Sequence, residues 1–361
     1  VGALTALPVL LLALIAVPGS LLVARVGARR ALVVGLLTVG VAGGLRGLGP
    51  SPAILFLMAT LMACGIAVSQ PSLPALVKEW LPDRIGLATG AFTNGMLVGE
   101  IIPVAISASL LLGLLGGSWG LVLAFWSLPV ILTALLVEAG PPALATEPGT
   151  RLVRWWPDWR DPRIWLLGLI LGGASAAYWS ANAFLPDFLR HHHHADLITP
   201  ALTSLNLVQL PASLLLALAG PSLVARRAPL VCAGLLVLLT TSGLAVLPPI
   251  GVVFDAGLLG FSTAFVFVLT LALPPVLAAP GDAHRLSAGV FTISYICPFV
   301  GSLIGGGLWD ATHVAQTAFV PLFAGGVLIA ILPTWLRLMG QHPAAPAIPA
   351  AVPEVAIDPN S

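Results

Sequence analysis

Residues 77–103 read VKEWLPDRIGLATGAFTNGMLVGEIIP, a short charged loop running into a long apolar segment that carries Gly, Thr, Asn and one Glu. The pattern is used twice. A shift of 199 residues sets Asp83 on Asp282, Leu87 on Leu286, Gly90 on Gly289, Phe92 on Phe291 and Thr93 on Thr292. Leu7-Pro8, Pro18 and Leu22-Val23-Ala24-Arg25 recur likewise as Leu210-Pro211, Pro221 and Leu223-Val224-Ala225-Arg226. A loop and helix repeated at such a distance imply a chain of two structural halves. The pairing leaves one segment unmatched, because the second half has an apolar run before Thr199 whose counterpart the first half lacks. The sequence is therefore expected to start at the second helix of a 6+6 array.

Hydrophobic residues make up 58% of the 361, charged residues 8%, and the mean hydropathy is +1.04. That balance belongs to polytopic membrane proteins and excludes a water-soluble domain. A net charge of +1, with basic residues scattered through loops, offers no stripe for nucleic acid. Cys64, Cys232 and Cys297 sit in apolar stretches without metal-ligand spacing and read as small core residues, so no metal site is expected. No Gly-x-Ser-x-Gly, phosphate-binding loop or His-Glu-x-x-His occurs, and neither enzyme chemistry nor a cofactor is expected.

Runs long enough to cross about 30 Å of hydrocarbon fall at 1–24, 31–48, 53–75, 86–114, 119–139, 164–189, 199–223, 229–248, 252–277, 286–309 and 315–338. The chain therefore divides into a first half, 1–139, a Pro-, Arg- and Trp-rich linker, 140–163, a second half, 164–338, and an Ala/Pro-rich tail, 339–361, expected to be disordered. If the first span ends in the cytoplasm, thirteen of the 15 basic residues fall in cytoplasmic loops and only Arg46 and Arg190 lie outside. The positive-inside rule selects that orientation, which puts the C-terminus in the cytoplasm. Gly86 and Gly90, Gly95 and Gly99, and Gly301 and Gly305 are small-xxx-small pairs expected to let helices approach.

Polar side chains at membrane depth are costly and face the bundle interior or a water-filled path. Here they form stripes. Thr89, Thr93, Met96 and Glu100 share one helix face; so do Thr203, Asn206, Gln209 and Ser213, then Ser175, Tyr178 and Asn182 beside Trp179, and Thr292, Tyr295 and Ser302. Four such faces from both halves are what a central hydrophilic cavity requires, although the same residues would also serve as interhelical glue. Tyr178, Trp179, Asn182, Asn206, Gln209, Tyr295, Thr93 and Asn94 are the expected solute contacts. Glu100, the one acid deep in a span, is the proton-coupling candidate. Arg25, Arg29, Arg30, Lys78, Asp83, Arg84 and Asp282 are expected to bridge a cytoplasmic gate. Asp187, Asp255 and Asp310 are expected at the outer interface, and the His191–His194 run in an outer loop forms no closed metal site.

The turn PGSLLVARVGARR, 18–30, resembles the loop between the second and third helices of the major facilitator superfamily. WLPDRIGLATG at 80–90, NAFLPD at 182–187 and LNLVQLP at 205–211 are similar to its cyanate permease and 2-nitroimidazole transporter family. The likeness spans residues 1–338. It implies an all-α integral membrane fold, a 6+6 helix bundle of which about eleven transmembrane helices are present. The implied function is secondary active transport of a small solute, such as cyanate or a nitro-type compound, by a monomer in the plasma (inner) membrane, with protons as a possible coupling partner. The alternatives are an exporter of drugs or metabolites with the same fold, or a truncated, non-transporting remnant or sensor. Two departures stand out. Ala24 occupies the place where the superfamily loop carries an Asp, and the first helix, with the family's Asn-Leu-Arg-Pro element, has no counterpart here.

Overall fold

Hydrocarbon offers a main chain no hydrogen-bond partners, so a sequence this apolar satisfies its N–H and C=O groups within each segment. The computed structural model describes residues 2–47, 51–140, 155–219, 223, 226–246, 248–279 and 282–336. Among these residues the regular structure is entirely helical. The first half holds α1 (Gly2–Val26), α2 (Ala28–Leu45), α3 (Pro52–Trp80), α4 (Ile85–Ile106) and α5 (Trp119–Ala139). The second holds α6 (Pro162–His191), α7 (Ile198–Leu207), α8 (Gln209–Ala219), α9 (Ala228–Val246), α10 (Pro249–Leu271), α11 (Ala283–Thr312) and α12 (Val320–Ile331). Within the described residues, each of the eleven expected spans overlaps one or two of these helices. Eight helical stretches of the described residues are long and apolar enough to cross a membrane, joined by shorter apolar ones at Leu10–Val26 and Ala228–Leu244.

Two prolines lie beside irregularities in the spans. Pro211 has no N–H for the Leu207 carbonyl, and the seventh span breaks at Val208 into α7 and α8. Pro103 lies inside α4, which gives way to a π-turn at Ser107–Leu111. There the Ser107 hydroxyl donates to the Pro103 carbonyl at 2.5 Å and accepts from Trp126 Nε1 of α5 at 2.9 Å. Such irregular backbone survives in a membrane protein where side chains take up the freed groups.

Packing repeats from half to half. The α1–α3, α2–α3 and α2–α5 pairs of the first half reappear as α7–α10, α9–α10 and α9–α12 in the second. Helix α6 packs against α10, α11 and α12, and no described helix takes the matching place beside α3, α4 and α5. The second half holds the larger buried core, which Ala16 of α1 joins; a smaller one around Val23, Ala31, Leu32 and Leu76 holds the first half. The halves meet through α1 and α3 against α11, and through α4 against α8.

One expectation fails here. Gly95 and Gly99 face open space, with no atom within 4 Å of where a Cβ would stand, so this pair brings no described helix close. The tight crossing is elsewhere, at Gly260, where a Cβ would lie 1.9 Å from the Leu205 carbonyl oxygen. Asp255, near the start of α10, is 6% exposed, its carboxylate turned against Gly243 of α9, where a Cβ would meet Oδ1 at 2.7 Å. Helix α10 is enclosed by α7, α8, α9 and α6, and a residue near its end is covered by those neighbours. The calls on 339–361, Arg151, Arg154, Arg337 and most of the linker lie outside the described residues.

Candidate functional site

A cavity of ≈ 160 Å³ lies between the halves. Helix α4 lines it with Thr93, Met96 and Leu97, α6 with Ala174, Ser175, Tyr178 and Trp179, and α8 with Gln209. Thr263, Ala264, Phe267 and Val268 of α10 and Tyr295 of α11 complete the wall. None of these residues is acidic or basic, so the described lining offers shape, aromatic surface and neutral hydrogen-bonding groups.

The polar groups are joined behind the wall. Tyr178 donates its hydroxyl to Asn206 Oδ1 at 2.6 Å, and Gln209 Nε2 donates to the same oxygen at 3.3 Å. Asn206 Nδ2 in turn donates to Asn182 Oδ1 at 3.2 Å and to the Leu202 carbonyl at 2.8 Å. The break at Val208 sets Asn206 and Gln209 on separate helix pieces, yet both reach this network. Trp179 packs edge-on to Tyr178 with ring centroids 5.9 Å apart and is 44% exposed, which leaves its indole free to meet a ligand. Tyr295 stacks on Phe291 at 6.1 Å and accepts a hydrogen bond from Gln70 Nε2 of α3.

Of the eight expected solute contacts, Thr93, Tyr178, Trp179, Gln209 and Tyr295 line the cavity. Asn182 and Asn206 stand behind it as partners of Tyr178 and Gln209. Asn94 turns away and accepts the Ser213 hydroxyl at 2.5 Å, tying α4 to α8 across the halves. The side chain of Glu100 lies outside the described residues. The α10 wall was not anticipated, since Thr263 and Phe267 sit in an otherwise apolar run; Gln70, an amide inside an apolar span, was a signal that went unused.

The expected gate residues do different jobs. Lys78 donates from Nζ to the Ala278 carbonyl at 2.7 Å and so bridges the halves. Arg29 works within the first half, donating to the Gly140 carbonyl at 3.0 Å and pairing with Glu138 at 3.3 Å. Asp282 pairs locally with Arg285 at 3.0 Å. Arg25, Arg30, Asp83 and Arg84 are exposed and make no ion pair among the described residues. No group of three or more His, Cys, Asp or Glu among the described residues is placed to hold a metal.

Residues 1–306 match the Major Facilitator Superfamily. The chain is 28% identical over 340 residues to the cyanate transport protein CynX of Escherichia coli (strain K12), covering 91% of this chain and 86% of that one. It is 27% identical over 314 residues to the 2-nitroimidazole transporter of the same organism, covering 86% and 79%. Among solved structures it is similar to the transporter FucP in its outward conformation, at TM-score 0.74 and 14% identity over 92% of this chain and 89% of that one. It is also similar to the human organic anion transporter MFSD10 (TETRAN), at TM-score 0.69 and 17% identity over 92% and 83%. The structural likeness shows a shared fold, and the family match, which covers most of the sequence, places the chain in the Major Facilitator Superfamily.

Proposed function

We propose that this protein is a secondary transporter that moves a small solute across the plasma membrane by alternating access, its two halves rocking around the cavity between them. The observation that carries this reading is the cavity itself, walled by helices of both halves, with Tyr178, Gln209 and Tyr295 presenting hydrogen-bonding groups among aromatic surfaces. A planar nitro-type solute suits this wall better than bare cyanate, because Trp179, Tyr178 and Phe267 offer ring contacts and the described lining offers no cation. Glu100 on α4 is the coupling carboxyl of this reading, and the Arg-rich turns and the C-terminus face the cytoplasm.

The test is uptake of radiolabelled 2-nitroimidazole and cyanate by cells producing the full chain. Asn206→Leu and Gln209→Leu are expected to abolish uptake while the protein still inserts; unchanged uptake removes the site assignment. Accumulation of solute inside inside-out vesicles, in place of uptake by cells, would make it an exporter, and binding without flux in either direction would make it a sensor.

A further inference from the structure

At the end of the molecule that bears the Arg-rich turns, the segment Trp155–Pro157 touches both halves. Ser20 of α1, 0% exposed, donates its hydroxyl to the Trp155 carbonyl at 2.8 Å. Arg285 of α11 donates Nε to the next carbonyl, that of Trp156, at 3.0 Å, and is itself held by Asp282 at 3.0 Å. Consecutive carbonyls therefore take donors from opposite halves. Pro157 is buried over α11, where a Cβ on Gly289 would stand 3.2 Å from the proline Cβ.

The segment is rooted in the second half. The Trp159 carbonyl accepts from Trp165 Nε1 at 2.9 Å, and Asp161 caps α6 by accepting from the Arg163 N–H at 2.9 Å. Arg163 reaches back to the Leu277 carbonyl at 2.7 Å. Of the hydrogen bonds described for this stretch, the one from Ser20 leads to the first half. We infer that Trp155–Pro157 is an arm of the second half that latches onto α1 through Ser20 and holds this end shut. The latch rests on the alternating-access reading above, in which this end must open once per cycle.

The experiment uses the full chain in nanodiscs with Cys64, Cys232 and Cys297 replaced by Ala. An Ala16→Cys reporter sits where α1 enters the core of the second half, at 1% exposure, and reacts with a water-soluble maleimide only when α1 and α11 part. An Ala181→Cys reporter, at 0% exposure inside the second half, registers general loosening. Ser20→Ala is expected to raise the labelling rate of the first reporter roughly 2- to 10-fold, the equilibrium shift of one net hydrogen bond, and to leave the second unchanged. Arg285→Met, which removes the bond that steadies the Trp156 carbonyl, is expected to give the same result. If wild type labels at Ala16→Cys and neither variant changes the rate, the latch is overturned while alternating access stands. No labelling in wild type or variants overturns both, and an equal rise at Ala181→Cys means a loosened fold and no latch.

Discussion

Gln70 of α3 donates its amide to the phenolic oxygen of Tyr295 on α11, across the line between the halves, while its own carbonyl oxygen is buried without a hydrogen-bond partner among the described residues. Tyr295 lines the cavity, so the floor of the site and the contact between the halves share one hydroxyl. Gln70→Leu and Tyr295→Phe should each weaken solute binding, and the double variant should cost less than their sum. A coupling of ~1 kcal/mol is expected for such a bond. Titration by tryptophan fluorescence across the four proteins measures it, and strict additivity would show that the two side chains do not act together.

The network centred on Asn206 makes a sharper demand. Asn206→Leu removes the acceptor shared by the Tyr178 hydroxyl and the Gln209 amide, and the donor to the Asn182 carbonyl. A net hydrogen bond contributes ~0.5–1.5 kcal/mol, so the loss of three should lower solute affinity by at least about tenfold. Asn182→Leu removes one acceptor and should fall well short of that. Equal losses in the two variants would contradict the central place of Asn206.

Glycines separate packing from emptiness. Gly260→Ala sets a methyl 1.9 Å from the Leu205 carbonyl oxygen and must push α10 off α7. A loss of ~1–3 kcal/mol, the usual cost of overpacking, should appear as a lower denaturation midpoint. Gly95→Ala and Gly99→Ala meet no atom within 4 Å and should be neutral or slightly stabilising in the same assay.

Asp255 and Gly243 should behave as a pair. Gly243→Ala crowds the buried carboxylate at 2.7 Å and should destabilise the protein, and Asp255→Ala should restore much of the loss by emptying that space. If Asp255→Ala deepens the defect, the carboxyl is holding something more than its own volume.

Lys78 and Arg29 should part company. Lys78→Met removes a bond between the halves, and spin labels at Arg30→Cys and Arg226→Cys should report a broader, longer distance distribution. Arg29→Met breaks contacts inside the first half and should leave that distribution unchanged, at a stability cost of no more than ~1 kcal/mol for its half-exposed ion pair.

The spans were legible because each needs an unbroken apolar run, and the cavity was legible because an amide or hydroxyl at membrane depth has few places to point. Thr93, Tyr178, Gln209 and Tyr295 were found this way. Asn94 was misplaced because one residue along a helix is about 100° around it, which carries its side chain from the cavity to Ser213. Thr263 and Phe267 gave no warning: a wall made of apolar contacts looks like any other buried helix. Asp255 sits near a helix end and is still buried, since neighbouring helices decide what is covered.

One property of the closing contacts reaches beyond this chain. Lys78, Ser20 and Arg285 all bond to main-chain carbonyls, at Ala278, Trp155 and Trp156. Every residue carries such an oxygen, so substitution can abolish the donors but leaves the acceptors in place. A donor lost at one position can be replaced from a neighbouring turn with no matching change opposite. If these bonds close the molecule as inferred above, covariation between side chains is not expected to reveal the closure.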